Sequence, residues 1–134
     1  MTKKADGGAR IRSVRSDPAR VRLALVTAAD EAQAAAIARA LIEERLAACV
    51  NLIPNIRSIY RWREAVEDDR EWLLLIKTTA AQYRKMERRI LEMHSYETPE
   101  AIELAIAGGA APYLRWLCEM AAPVKLSRRP PRRG

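Results

Sequence analysis

The chain has 134 residues, 49% of them hydrophobic, which is enough for one domain with a buried core. Its net charge of +7 is unevenly spread, because residues 23–122 hold 12 Lys/Arg against 15 Asp/Glu and the flanks hold the basic excess. No apolar run reaches the length of a membrane span, and the basic N-terminus lacks the apolar core of a secretory signal. We therefore expect a cytoplasmic protein with no membrane role.

The two basic flanks contain few apolar residues, so the sequence predicts disordered tails at 1–20 and 123–134 around one folded domain at 21–122. The arginines between Ser127 and Arg133 could attract RNA, DNA or anionic lipid. No aromatic residue interleaves with those arginines to stack on bases, so a solubilising tail is the preferred interpretation and nucleic acid is not an expected partner.

The first predicted elements of the body are a strand and a helix. The run from Val21 to Val26 is typical of a strand. Asp30 is a predicted helix N-cap, with Gln33 three residues later in a capping-box position. Apolar residues then recur at helical spacing and predict an amphipathic helix to about Ala47. These residues are Ala34, Ile37, Ala38, Leu41 and Ile42.

The next region predicts a long antiparallel hairpin. Residues 49–62 have an extended pattern that Pro54 interrupts, which indicates a bend or a bulge. Residues 63–70 are charged and are predicted to form the turn, and the apolar run 72–76 is typical of a strand covered on both faces. The outer part of this hairpin extends beyond what a small core can cover. Exposed Tyr60 and Trp62 therefore indicate pairing with another subunit.

Two further helices and one strand complete the pattern. Thr79 is a predicted N-cap of a second amphipathic helix. A short strand is predicted from Ala101 to Ile106, and Pro112 lies in the first turn of a last helix. The order β-α-β-β-α-β-α predicts an α+β fold, a ferredoxin-like βαββαβ sandwich with a C-terminal helix. The apolar face of the second helix consists of Tyr83, Met86, Ile90 and Met93.

The only histidine, His94, follows the second predicted helix and precedes Tyr96, Glu97 and Glu100. Histidine titrates near neutral pH and is a common metal ligand, so this junction is the first candidate for a site. The alternative interpretation is a helix-terminal cation that satisfies the last carbonyls. Two cysteines stand far apart in no zinc-site spacing, so we expect reduced thiols and no structural zinc.

Six short segments together resemble the CutA divalent-cation tolerance family, in order and over about residues 21–120. They are Thr27–Asp30, Leu46–Asn51, Ser58–Trp62, Ile76–Thr78, His94–Glu100 and Tyr113–Leu117. The resemblance implies a tight homotrimer in which long hairpins pair across subunits, similar to the trimeric PII signalling proteins with ligand sites in inter-subunit clefts. It also implies a link to copper and divalent-metal tolerance. Some members carry a Cys/His/His set, of which only His94 is present here, because Val26 and Met93 occupy the other positions.

Several functions follow from these residues as hypotheses. The leading one is a homotrimer that binds copper or another divalent metal, with His94 as the candidate ligand and no organic cofactor. The second is a PII-like module that binds a small molecule in an inter-subunit cleft. An enzyme with Cys49 as nucleophile, His94 as base and Asn51 as orienter is disfavoured, because a thiol in an apolar strand is normally inert. The candidate cleft residues are Cys49, Asn51, Trp62, Glu71, Lys77 and Tyr96.

Overall fold

The computed structural model describes residues 13–15 and 20–124 of the chain. Four strands form an antiparallel sheet in the order β3-β4-β2-β5, and β1 pairs with β6 beside it. This order confirms the predicted α+β, ferredoxin-like arrangement. In chain order the elements are β1 (Ser13–Arg15), β2 (Val21–Ala28), α1 (Glu31–Glu43), β3 (Cys49–Trp62), β4 (Ala65–Thr79), α2 (Ala80–Met93), β5 (Ala101–Ala105), β6 (Gly108–Ala110) and α3 (Ala111–Met120).

The predicted helix starts are confirmed by their caps. The side chain of Asp30 accepts a hydrogen bond from the Gln33 backbone N–H at 2.9 Å, and Thr79 accepts one from that of Gln82 at 3.3 Å. Helix α1 ends at Glu43 and not near Ala47, because Arg45 adopts a left-handed conformation with φ of 59°. The side chain of Arg45 then donates to the carbonyls of Glu119 and Ala122, which ties this corner to α3.

One core fills the space between the sheet and the pair α1 and α2. Alternate residues of β2 and β4, such as Ala24, Val26, Leu74 and Ile76, face these helices and are fully buried. Met86 belongs to the same core, so its helical spacing reports packing. A second cluster around Leu117 packs α3 against the Val21 end of the sheet. Helix α3 does not cover the opposite end of the sheet, where the connecting loops lie.

The hairpin of β3 and β4 is the longest feature of the molecule, with strands of 14 and 15 residues. The register shifts by one residue between Ile53 and Ile56, and Asn55 has a φ of 57°, so the predicted irregularity at Pro54 is a bulge. The prediction of a charged turn over residues 63–70 is wrong, because β4 already begins at Ala65. The outer part of β4 carries charged side chains on both faces, so no apolar alternation marked the strand.

Two short strands, β1 and β6, were not predicted from the sequence. Residues 13–15, inside the predicted N-terminal tail, pair with residues 108–110, where the two glycines were expected only to end a strand. The other tail predictions concern residues 1–12, 16–19 and 125–134, which lie outside the described residues. Among the helices that the structure describes, none is long and apolar enough to cross a membrane.

Candidate functional site

A cavity of about 830 Å³ opens where the hairpin leaves the sheet. The outer hairpin forms one wall, and the connection from α2 to β5 forms the other. Its volume lies in the range of small-molecule sites. The lining residues are Thr27, Arg57, Ser58, Ile59, Tyr60, Trp62, Glu71, Ser95, Tyr96, Glu97, Thr98 and Glu100.

Glu71 is the buried acidic group of this cavity, with only 6% of its surface exposed. It occupies the position on β4 opposite Ile56, directly after the bulge in β3. The Tyr96 hydroxyl donates a hydrogen bond of 2.7 Å to Glu71 Oε2. Burial and this hydrogen bond raise the pKa of Tyr96, so the phenol stays a neutral donor.

A second phenol–carboxylate pair lies farther out on the hairpin. The Tyr60 hydroxyl donates to Asp69 Oδ2 at 2.5 Å, and this bond is the main cause that raises the pKa of Tyr60 to about 12. On the other face of the same strands, Arg57 makes two hydrogen bonds of 2.8 and 2.6 Å to the Asp68 carboxylate. The bond from Arg57 also lowers the pKa of Asp68. These cross-strand pairs fix the cavity wall.

His94 ends α2 as predicted, and its ring is held on both sides. The Tyr96 backbone N–H donates to Nδ1 at 3.1 Å, so Nδ1 is the acceptor and Nε2 carries the proton. Nε2 lies 2.6 Å from the carbonyl oxygen of Thr27 and donates to it. Metal ligation by Nδ1 would therefore require the Tyr96 N–H to leave. The predicted role of His94 as a metal ligand stays a prediction.

Three of the predicted cleft residues form a separate cluster. Cys49 and Lys77 are cross-strand partners, and Asn51 accepts hydrogen bonds from the Lys77 ammonium and, at 3.9 Å, from the Cys49 thiol. Burial and the neighbouring thiol raise the pKa of the Tyr113 hydroxyl, which lies at the same place. Lys77 lies four positions along β4 from Leu73, the cross-strand partner of Thr27, which is a distance of about 13 Å.

The structure therefore divides the predicted cleft in two. Trp62, Glu71 and Tyr96 line the cavity, whereas the cluster of Cys49 lies toward the opposite end of the sheet. Cys49 and His94 are not brought together as a nucleophile and a base. Within the described residues, no group of three or more His, Cys, Asp or Glu side chains could hold a metal ion.

Several lining residues of the cavity were not predicted from the sequence. Arg57 and Ser58 were not among the candidate cleft residues, Tyr60 was noted only as an exposed hairpin residue, and Glu97 and Glu100 only for their nearness to His94. Side chains alternate between the two faces of a strand, so Tyr60 shares a face with Trp62. This alternation could have identified Tyr60 as a lining residue from the sequence.

Comparison with known proteins gives a consistent result. The family model described as CutA1 divalent ion tolerance protein matches residues 22–120. The chain is 50% identical over 95 residues to the divalent-cation tolerance protein CutA of Thermus thermophilus. The aligned residues cover 71% of this chain and 92% of that protein. It is 43% identical over 110 residues to protein CutA of Mus musculus, covering 82% of this chain and 62% of that protein.

Solved structures give the same match at the level of the fold. The structure of the divalent cation tolerance protein from Thermus thermophilus has a TM-score of 0.75 and 46% identity, over 76% of this chain and 99% of that chain. The structure of CutA1 from Oryza sativa has a TM-score of 0.75 and 36% identity, over 77% and 94% of the two chains. A third, from Archaeoglobus fulgidus, is described as periplasmic and has a TM-score of 0.74 and 31% identity, over 76% and 99%.

Proposed function

The chain belongs to the CutA1 divalent ion tolerance family, and we propose that it acts as a homotrimer in the tolerance of, or response to, copper or another divalent metal. The observation that carries the assembly is the outer hairpin. Ile59 and Val66 there are 63% and 65% exposed, and Tyr60 and Trp62 are also exposed. Apolar and aromatic side chains on a two-stranded ribbon favour burial against another subunit.

A second surface supports the same assembly. Strand β5 is an edge of the four-stranded sheet, and its Ile102 and Leu104 are exposed. The other edge is β3, where Leu52 and Ile53 are partly exposed. Two apolar edges on one subunit are suited to a head-to-tail contact that closes into a ring. An obligate interface of this kind buries more than ~2,000 Å².

We propose that the ligands of a tight metal site come from more than one subunit. Within the part of one chain that the structure describes, three suitable ligands do not converge. Threefold symmetry multiplies each donor by three, and soft or imidazole donors are those that copper prefers. His94 contributes to such a site only if Tyr96 releases its ring nitrogen.

Native mass spectrometry tests the assembly and the metal together, with copper(I), copper(II) and zinc titrated separately into the full chain. We expect a trimer that holds a stoichiometric metal. His94→Gln, which removes the imidazole but can still donate to Thr27, should lose the metal and keep the trimer. Glu31→Gln, on the exposed first turn of α1, is the matched control and should bind as the wild type does. A monomer would contradict the proposed assembly, and a metal-free trimer would contradict direct metal binding.

A second candidate function is a PII-like module that binds a small molecule, and the cavity beside Glu71 specifically favours it. The cavity has the volume of a small-molecule site. Its lining combines aromatic side chains with a few fixed polar groups, which is the usual composition of a ligand pocket. In the proposed trimer, the hairpin that forms its wall also faces a neighbouring subunit. Ligand occupancy could thereby change the assembly.

We propose no catalytic role, and the name of the matched family describes ion tolerance and not a reaction. The separation of Cys49 from His94 within one chain supports this proposal, because it disfavours the catalytic pair that the sequence suggested. We also propose a cytoplasmic location, which the two free cysteines favour. Fractionation of cells that express the full chain would test the location, and recovery with membranes or outside the cytoplasm would contradict it.

A further inference from the structure

The cavity beside Glu71 carries an excess of negative charge. Its ionisable lining residues include Arg57 and three glutamates, Glu71, Glu97 and Glu100. Arg57 is already paired with Asp68, and Glu97 lies 3.3 Å from Arg63. Among the described residues, no cationic side chain forms a salt bridge with Glu71 or Glu100. An anionic ligand such as a nucleotide would therefore meet repulsion here.

The buried carboxylate of Glu71 is also incompletely hydrogen-bonded. Its Oε2 accepts from Tyr96, but Oε1 has no hydrogen-bond donor among the described residues. Tyr96 is a neutral donor, so it orients the carboxylate without neutralising it. Glu71 is more than nine-tenths buried, and burying a carboxylate costs free energy when one of its oxygens lacks a hydrogen-bond partner. A ligand with a positively charged donor would supply the partner that Oε1 lacks.

Aromatic rings supply much of the remaining lining. Tyr60, Trp62 and Tyr96 all border the cavity, and the first and last are fixed by their hydrogen bonds to Asp69 and Glu71. One of these rings already contacts a cation, since the guanidinium of Arg63, which is not itself a lining residue, lies 5.5 Å from the centre of the Trp62 ring. Fixed aromatic rings beside a carboxylate are the chemistry that recognises organic cations.

We propose that this cavity binds a small organic cation, an ammonium group on an apolar body, with Glu71 accepting from the ammonium and the three aromatic rings packing around the body. This inference rests on the second candidate function above, the small-molecule module, and names its ligand class. A bare metal ion is a poorer occupant, because the described carboxylates do not converge as a ligand set.

Isothermal titration calorimetry on the full-length assembled protein tests the proposal with three probes of similar shape. They are phenethylamine, which is cationic at neutral pH, 2-phenylethanol, which is neutral, and 3-phenylpropionate, which is anionic. We expect binding of the amine only, weakened as the salt concentration rises. Glu71→Gln should weaken amine binding at least tenfold, because glutamine still accepts from Tyr96 but carries no charge.

Glu119→Gln is the matched control, since Glu119 is an exposed glutamate on α3, away from the cavity, and should leave amine binding unchanged. The proposal is overturned if phenethylamine does not bind, if the alcohol binds as tightly, or if Glu71→Gln binds the amine as the wild type does. Binding of the alcohol or the acid instead would leave a small-molecule module standing and reject only the cation. A trimer that binds none of the probes would reject the cation and leave the metal hypothesis untouched.

Discussion

His94 is expected to stabilise the fold, and the prediction can be worked out from its two hydrogen bonds. Strand β5 stops pairing with β2 at Ala101, opposite Val26, so the next carbonyl of β2, that of Thr27, needs another donor. His94 Nε2 supplies it, while Nδ1 accepts from the Tyr96 N–H. His94 as a residue is only 9% exposed, so water replaces these contacts poorly.

His94→Ala removes both contacts and leaves two polar backbone groups without partners. Each net hydrogen bond is worth about 1 kcal/mol, and a buried group left unpaired costs about 1–3 kcal/mol. We therefore expect a loss of about 3 kcal/mol in the free energy of unfolding. Guanidinium denaturation followed by circular dichroism would measure it, at one fixed subunit concentration because assembly contributes to the apparent stability.

Two further variants separate the hydrogen bonds. His94→Gln can still donate to Thr27 and His94→Asn can still accept from Tyr96, so each should lose about half as much. Leu91→Ala, at an exposed position of the same helix, is the control and should change stability by less than ~0.5 kcal/mol. A loss below ~1 kcal/mol in His94→Ala would refute the structural role.

Other predictions concern the cap, the hairpin and the phenol. Asp30→Ala should cost about 1 kcal/mol in the free energy of unfolding, measured by denaturation; no change would contradict the cap. Ile59→Lys should dissociate the trimer in analytical ultracentrifugation, whereas Leu91→Lys should not. The raised pKa of Tyr60 favours the folded state below pH 10 and this contribution is lost as the pH rises through about 12. Absorbance titration near 295 nm should show late ionisation of Tyr60, Tyr83 and Tyr96, and Tyr60→Phe should remove one of these late phenols.

Local patterns in the sequence were sufficient for most of the fold. Asp30 and Thr79 each begin a helix because a short polar side chain can accept from the N–H three residues later, a contact that depends only on nearby residues. The apolar periodicity of α2 identified Met86 as core in the same way. The outer part of β4 was missed because both its faces carry charge, so its strand conformation depends on cross-strand pairs such as Arg57 with Asp68.

The candidate site depended on contacts between distant segments. The sequence alone identified Trp62, Glu71 and Tyr96 as candidates, but it grouped them with Cys49 and Lys77. Glu71 and Lys77 share one face of a strand. However, six residues of an extended chain span about 20 Å, so the two side chains lie toward different ends of the sheet. Spacing in sequence determines which face a side chain occupies, whereas its neighbours depend on how loops return to the sheet.

The sequence by itself therefore determined the order and type of the main elements, the apolar faces of the helices and the family resemblance, because these rest on local periodicity and short motifs. Only the tertiary structure decided that His94 has both ring nitrogens engaged and that Glu71 is buried in an aromatic cavity. The reason is physical: hydrogen-bond partners and burial are properties of segments that meet only when the sheet is assembled.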